Sequence, residues 1–250
     1  MKKNLKIKSS ILIIGNEILS GRTKDTNTST ISIWLNSLGV SVAEVRIIPD
    51  IENIIIQNIN VLRKKYKYVF TTGGIGPTHD DITAESISKA FNLKYEIHKE
   101  GYKILESYYK PGEFNKGRQK MIWMPKDAKL ILNPTSGAPG FIVDNVFCLP
   151  GVPSILKSML GGLQNDIIGG RPVISCSINL RTVESEIAKS LTLVQKKNKE
   201  VEIGSYPFFK AGKLGVSIIL RSEEQSKIDK CILEILKFVK KKKIKIVKKD

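Results

Sequence analysis

The amino-acid sequence predicts an α/β protein in which a parallel sheet is followed by a small ferredoxin-like α+β module. From Ser10 to Phe91, strand-like and helix-like segments alternate, which is typical of right-handed crossovers on a parallel sheet. After Gly169-Gly170 the pattern changes to a strand, a helix, two strands and a helix. We therefore expect two domains, at residues 1–170 and 171–250.

The elements of the first domain follow from hydrophobic periodicity and from residues that begin or end helices. Strands are expected at residues 10–14, 40–48 and 68–72, and helices at residues 26–38, 50–64 and 83–91. Asp50 is expected to cap the second of these helices, and Asp81 or Thr78 the third. The rest of the domain is expected to hold helices at 101–109, 115–122 and 154–163, with short strands around residues 130, 141 and 146.

The second domain begins where Gly169-Gly170 and Arg171-Pro172 interrupt the pattern, because glycine and proline end regular structure. Its strands are expected at residues 173–180, 201–206 and 214–220, and its helices at residues 183–194 and 223–240. Residues 244–247 are expected to form an edge strand that its lysines keep soluble.

The net charge of +17 raises the question of a nucleic-acid partner. Eight of the lysines lie between Lys237 and Lys249, so much of the charge is local. We expect a solvated basic face there rather than a nucleic-acid interface.

The chain is expected to be cytoplasmic, with no membrane partner. No apolar run reaches the roughly 18–20 residues that a membrane helix needs. The three cysteines, Cys148, Cys176 and Cys231, are far apart and form no CxxC pair. This spacing argues against a disulfide framework or a structural zinc site.

The segment that carries the chemistry is residues 71–83, which read TTGGIGPTHDDIT. Its three glycines allow positive φ and leave no Cβ between the backbone N–H groups and a ligand. A helix that starts just after the loop adds unpaired N–H donors and a partial positive charge. We therefore expect a phosphate cradle at Gly73, Gly74, Gly76, Thr78 and Thr83.

Three acidic residues accompany this loop. Asp80 and Asp81 bring carboxylate oxygens to the cradle, where a hard divalent cation can bridge protein and phosphate. Glu17 follows the first strand, and loops at the carboxyl ends of parallel strands meet at one edge. Glu17 is therefore a further metal ligand or a catalytic base, while the metal stays open among Mg, Co, Ni and Mn.

Simpler interpretations stand beside these. A glycine turn also ends many strands that bind nothing, and an aspartate at a helix start is often only a cap. His79 either contacts the phosphate or is a solvated loop residue. We expect Met121, Trp123 and Met124 to pack in the core rather than to hold a cofactor.

Several motifs, in this order, resemble the molybdopterin-binding domain family, and within it the competence/damage-inducible protein branch. This branch shares the domain with the front half of eukaryotic FAD synthases. The resemblance covers about residues 10–163 and continues into the second domain. The matching segments are Gly15-Asn16-Glu17-Ile18-Leu19-Ser20-Gly21, Asp25-Thr26-Asn27, residues 71–83, Arg118…Met121…Met124-Pro125, Ala138-Pro139-Gly140-Phe141, Leu149-Pro150-Gly151-Val152-Pro153, Glu184-Ser185 and Ile203-Gly204-Ser205-Tyr206-Pro207.

The resemblance implies a three-layer α/β/α first domain, often oligomeric, and divalent-metal-dependent cleavage of a pyrophosphate such as ADP-ribose or FAD. Asp81 matches the functional aspartate of the family pattern GGxGxxxxDxT. One departure from the family is Ser136-Gly137, where Gly-Thr is expected. The further residues assigned to ligand binding are Asn27, Asp50, Pro139, Gly140, Pro150 and Gly151.

Two function classes remain open from the sequence. In a nucleotide pyrophosphatase, Asp80 and Asp81 hold the metal, the glycines hold phosphate, and Glu17 or Asp50 positions water. In a binding module related to molybdenum cofactor biosynthesis, the same loop holds a pterin or nucleotide without cleaving it. The paired aspartates favour the enzyme, because a phosphate cradle gains nothing from two added negative charges without a cation.

Overall fold

The computed structural model describes residues 7–210 and 212–249. The chain forms two compact units, one that ends at Gly170 and one that begins at Arg171. Within the described residues, no helix has the length and apolar character needed to cross a membrane.

Among its described residues, the first unit contains eight strands and seven α-helices. Its strands are β1 (Ile7–Ile14), β2 (Val40–Ile48), β3 (Tyr68–Thr72), β4 (Tyr95–Ile97), β5 (Trp123–Pro125), β6 (Lys129–Ile131), β7 (Gly140–Val143) and β8 (Val146–Leu149). Its helices are α1 (Asn16–Leu19), α2 (Asn27–Ser37), α3 (Glu52–Lys65), α4 (Thr83–Ala90), α5 (Lys99–Tyr108), α6 (Lys116–Lys120) and α7 (Pro153–Leu160), and a 3-10 helix follows at Gly161–Asp166.

Six of these strands form one sheet in the order β2-β1-β3-β8-β7-β6. The first four are mutually parallel, and β7 and β6 pair antiparallel at the far side. Strands β4 and β5 form a separate antiparallel ribbon. The expected mostly parallel sheet is confirmed.

Helices cover both faces of this sheet. The side chains of β1 alternate between the two cores that lie beneath them. Leu12 and Ile14 point to one core, which α3 and α4 cover with buried apolar residues such as Ile59. Ile11 and Ile13 point to the other, which α2 and α7 cover. Each such fully buried side chain contributes about 1.5–3 kcal/mol relative to exposure. The three-layer α/β/α architecture is confirmed.

The second unit has the order strand, helix, strand, strand, helix, strand. Its elements are β9 (Ile174–Arg181), α8 (Glu184–Lys197), β10 (Glu202–Lys210), β11 (Lys213–Ser222), α9 (Gln225–Lys241) and β12 (Lys245–Lys249). Its sheet is antiparallel in the order β10-β11-β9-β12, which confirms the ferredoxin-like module. Its core is separate and includes Ile178, Leu180, Ile187 and Ile235.

Two predicted helix caps are wrong. Helix α3 begins after Ile51, and Asp50 accepts instead from the backbone N–H of Asn16, at 2.9 Å. Helix α4 begins after Ile82 with no side-chain cap, and Asp81 accepts from Thr78 instead. In both cases the carboxylate bonds a donor outside the helix, so the local pattern did not decide its partner.

The ribbon of β4 and β5 was not predicted, because three-residue strands are too short to show an alternating pattern. Its residue Met124 is buried as expected. Trp123 is 38% exposed, so its assignment to the core is wrong.

Candidate functional site

The candidate site lies where β2, β1, β3 and β8 end, at one edge of the parallel part of the sheet. We call this edge the rim and define it as residues 15–19, Asp50, residues 73–82 and residues 150–151. Parallel sheets place ligand-binding loops at the carboxyl ends of their strands. The topology therefore gathers loops from four neighbouring strands.

The glycine loop of the rim has a backbone that only glycine adopts easily. Gly73 has φ of 101° and Gly74 has φ of 68°. A Cβ at Gly73 would lie 2.1 Å from the carbonyl oxygen of Ile14, and one at Gly74 would lie 2.1 Å from Thr83 Oγ1. Because Thr83 N–H also donates to the Gly74 carbonyl at 2.9 Å, the loop folds tightly onto the start of α4.

Asn27 ties the end of β3 to the end of β8. Its Nδ2 donates to Thr72 Oγ1 and to the Gly151 carbonyl, each at 2.8 Å, and Thr72 Oγ1 donates to the Pro150 carbonyl at 3.2 Å. The backbone N–H of Gly73 donates to Leu149 at 3.2 Å. Asn27 is buried, so it holds the rim together from below.

Asp80 and Asp81 converge on one hydroxyl. Thr78 Oγ1 lies 2.6 Å from Asp80 Oδ1 and 2.6 Å from Asp81 Oδ2, and Thr78 N–H donates to Asp81 at 2.8 Å. A hydroxyl has a single proton, so it can donate to only one of the two carboxylates at a time. The second carboxylate therefore faces the hydroxyl oxygen without a donor, and a proton on its carboxyl group or a bound cation would relieve this contact. A Cβ at Gly76 would lie 2.7 Å from Asp81 Oδ2, so this glycine leaves room for the carboxylate.

The pKa of Asp80 is lowered and that of Asp50 is raised. The hydrogen bond from Thr78 lowers the pKa of Asp80, and the charges of His79 and Lys120 add to the effect. Burial raises the pKa of Asp50, and the negative charges of Glu17 and Asp80 raise it further. Glu17 and Asp80 therefore both lie within electrostatic reach of Asp50.

Glu17 folds back over the end of β1. A Cβ at Gly15 would lie 2.6 Å from Glu17 Oε1, so the carboxylate occupies the space above that glycine. Its backbone carbonyl accepts from Thr23 N–H at 3.0 Å, which holds the short helix α1 against the next turn. The structure thus brings Glu17 to the same rim as the aspartates.

A notch next to Asp81 contains residues that the sequence did not single out as binding residues. Gly76, Asp81 and Pro139 line it together with Tyr95, Lys120, Met121 and Trp123. Lys120 Nζ donates to the Thr78 carbonyl, and the Tyr95 and Trp123 rings lie 5.4 Å apart. The segment around Arg118…Met121…Met124-Pro125 was a motif of the resemblance, which is the signal that could have marked it.

Two of the expected ligand contacts are buried in the fold. Thr83 is fully buried, with its hydroxyl beneath Gly74. Gly140 is buried in β7, where a Cβ would lie 2.3 Å from the Cys148 carbonyl. Both residues support the elements below the rim instead of facing solvent. The departing turn Ser136-Gly137 is held by Asn133, whose Oδ1 accepts from Ser136 N–H at 3.1 Å.

Within the described residues, no group of three or more His, Cys, Asp or Glu side chains is placed to hold a metal. The rim offers instead two carboxylates and the hydroxyl of Thr78. This oxygen set fits Mg²⁺ or a similar hard cation, which proteins often bind through one or two carboxylates while substrate phosphates complete the shell. The residues present therefore fit a cation that arrives with a diphosphate.

Comparison with known proteins gives two matches to family models. Residues 10–168 match the probable molybdopterin binding domain, and residues 172–248 match the FAD synthase middle domain. A protein from Archaeoglobus fulgidus is 36% identical over 217 residues, which cover 87% of this chain and 92% of that protein. A protein from Pyrococcus abyssi is 31% identical over 242 residues, covering 90% and 94%.

One solved structure resembles the first unit in both sequence and shape. It is the crystal structure of the protein CinA, of unknown function, from Thermoplasma acidophilum. The match has a TM-score of 0.60 and 31% sequence identity, and it covers 64% of this chain and 99% of that one.

Proposed function

Because this chain belongs to the probable molybdopterin-binding domain family, we propose that its first unit binds a nucleotide pyrophosphate at the glycine loop and hydrolyses it with a divalent cation. The observation that carries this proposal is the convergence of Asp80 and Asp81 on Thr78 Oγ1, each at 2.6 Å. Two ionised carboxylates that compete for one hydroxyl proton repel each other, and a cation bound between them would offset this repulsion.

The loop and the aspartates have complementary roles in this proposal. Backbone N–H groups of residues 74–76 and the N-terminus of α4 hold the diphosphate. Lys120, which is bonded to the Thr78 carbonyl, adds a positive charge beside it. The cation, when bound, neutralises the diphosphate and acidifies its water. Without it, Asp80 and Asp81 would repel the substrate.

Asp50 is the residue we assign to accept a proton from the attacking water. Burial and the neighbouring acids raise the pKa of its carboxyl, which makes its ionised form a stronger base. Water then forms a new bond to phosphorus, the bridging P–O bond breaks, and two monophosphates leave. Glu17, on the same rim, orients the water.

A second candidate function is binding without cleavage. No cluster of three acidic, His or Cys ligands occurs among the residues that the structure describes, and such a cluster is common where a protein holds a metal by itself. Under this reading the rim holds a pterin or nucleotide and passes it on.

Turnover assays separate the two candidates. Purified protein is incubated with ADP-ribose, FAD or inorganic pyrophosphate, each with Mg²⁺, Mn²⁺, Co²⁺ or Ni²⁺, and the released monophosphates are measured. The proposal expects metal-dependent products from at least one nucleotide. Thermal stabilisation by a nucleotide without any product would favour the binding module. The lack of both would reject hydrolysis and nucleotide binding, and would leave only a module that binds a pterin.

A further inference from the structure

The indole of Trp123 lies beside the rim and is only partly covered. It is 38% exposed, on the β4–β5 ribbon, with the Tyr95 ring tilted against it at 5.4 Å and 49°. The other tryptophan, Trp34, instead packs edge-on against the buried Phe70 at 5.8 Å. A large amphipathic ring left partly exposed beside a candidate site offers a flat surface on which another ring can stack.

The notch joins this aromatic surface to the proposed phosphate site. Trp123 and Tyr95 line it together with Gly76 and Asp81 of the rim. Lys120 also lines it, and its ammonium donates to the Thr78 carbonyl. A molecule whose diphosphate rests on the glycine loop therefore has an aromatic surface next to it.

We propose that Trp123, supported by Tyr95, stacks on the flat aromatic heterocycle of the substrate whose diphosphate lies on the glycine loop. The site then selects ring-bearing diphosphate esters over inorganic pyrophosphate. This inference rests on the proposed function, because it needs a diphosphate on the loop. It adds the side chains that hold the heterocycle of that nucleotide.

Tyr95 keeps the stacking surface neutral. A tyrosine hydroxyl is already protonated at physiological pH, and partial burial raises the pKa of Tyr95 further, to about 12, so the ring carries no charge that would repel phosphate. Base–aromatic stacking tolerates different rings because every nucleobase has a π-face. The interaction strengthens binding by about tenfold per stacked ring.

Binding of two non-hydrolysable probes tests the inference. The ring-bearing probe is α,β-methylene-ADP, the ring-less probe is methylenediphosphonate, and both are titrated calorimetrically with Mg²⁺. Trp123→Leu, which keeps apolar bulk but loses the π-face, should weaken α,β-methylene-ADP about tenfold and change methylenediphosphonate less than about twofold. Trp123→Phe, which keeps a flat ring, should stay within about threefold of the parent for both probes.

Tryptophan fluorescence gives a readout that a merely structural role would not move. The chain has two tryptophans, so the parent emission minus that of Trp123→Phe belongs to Trp123. α,β-Methylene-ADP should quench this emission, and the remaining Trp34 emission should not respond. Equal weakening of both probes by Trp123→Leu, or no weakening of either, would overturn the stacking role while the proposed function stands. If the parent protein binds neither probe, both the inference and the proposed function fail.

Discussion

The two units of this protein treat their buried polar groups differently. In the second unit, buried side chains such as Thr182 and Asn198 have partners: Thr182 Oγ1 donates to Glu186 at 2.6 Å, and Asn198 Nδ2 to the Val194 carbonyl at 2.9 Å. Among the described residues, all buried side-chain polar atoms without a hydrogen-bond partner lie in the first unit, and two of them, Asn27 Oδ1 and Thr83 Oγ1, lie just below the rim. Others, such as Ser10 Oγ and Asn145 Oδ1, lie elsewhere in the sheet, so the first unit as a whole leaves more of its buried polar atoms unpaired than the second.

The charges follow the same division. In the second unit, Lys227 lies 2.8 Å from Glu224, which lowers the pKa of that carboxyl. At the rim, Asp50 lies instead near the like charges of Glu17 and Asp80, which raise its pKa. A fold under selection for stability alone would not keep these acids together. The contrast is therefore between a paired acid of the second unit and a group of like charges at the rim of the first.

The largest effect is expected from Asp81→Asn. Asn keeps an oxygen that accepts from Thr78 N–H, so the melting temperature should stay nearly unchanged. It lacks the negative charge that a cation needs, so metal-dependent hydrolysis should fall at least about a hundredfold, on the order of 3 kcal/mol in barrier. Steady-state kinetics with the best nucleotide and metal measure the change.

The matched control is Asp229→Asn, in the second unit, where the carboxylate accepts from Gln225 at 2.8 Å. This control should leave turnover and metal dependence as they are. If Asp81→Asn keeps full activity, Asp81 is not a metal ligand, and Asp80 becomes the next residue to change.

A second prediction compares two glycines of similar backbone. Gly74 has φ of 68° and Gly212, in the β10–β11 turn, has φ of 71°. Replacing Gly212 with Ala should cost about 1 kcal/mol of unfolding free energy, since its Cβ would meet nothing within 4 Å. Gly74→Ala should cost about 2 kcal/mol or more, because its Cβ would also collide with Thr83 Oγ1.

Ligand binding separates the two glycine variants further. Gly74→Ala should lose the thermal stabilisation that α,β-methylene-ADP gives the parent protein, and Gly212→Ala should keep it. Both variants are compared by urea unfolding and by thermal shift with and without the probe. Retained stabilisation in folded Gly74→Ala would mean that the loop is only a turn.

A third prediction contrasts two buried threonines. Thr83→Val removes a hydroxyl that has no partner, so the unfolding free energy should stay the same or rise by about 1 kcal/mol. Thr182→Val removes a hydroxyl bonded to Glu186, so stability should fall by about 1 kcal/mol. Urea unfolding measures both changes, and a loss in Thr83→Val as large as in Thr182→Val would contradict the contrast.

The scaffold of the rim was predictable because its signals are local. The apolar run before Gly15 and the β-branched segment at residues 68–72 predicted β1 and β3, and the glycines after β3 predicted a loop with positive φ. These patterns depend on neighbours in the sequence. They therefore located the loop before its contacts were known.

The partners of the rim side chains were not predictable in the same way. Asp50 bonds the N–H of Asn16, which is distant in sequence, and Asp81 turns back to Thr78 rather than to its helix. Trp123 is a residue type that often packs in a core, and its partial exposure follows from its place on the β4–β5 ribbon. Such contacts depend on tertiary packing, which local propensity does not encode.

The smallest expected effect is on the melting temperature, which neutralising Asp50 should raise and neutralising Glu224 should lower. The folded-state pKa of Asp50 is raised above its ordinary 3.8, so its ionised form opposes folding, and this opposition grows as pH rises through that range. Asp50→Asn keeps an acceptor for Asn16 N–H and removes the charge. The variant should therefore melt slightly above the parent at pH 7, and the gap should close as pH falls toward 3.8.

Glu224 has a folded-state pKa below its ordinary 4.5, so its contribution to the free energy of unfolding is present above pH 4.5 and is lost as pH falls through the folded value. Glu224→Gln should therefore melt below the parent at pH 7, and that gap too should close in acid. Unfolding curves from pH 4 to pH 7 compare the variants, and the same sign for both at pH 7 would show that the rim does not hold its acids against their mutual repulsion.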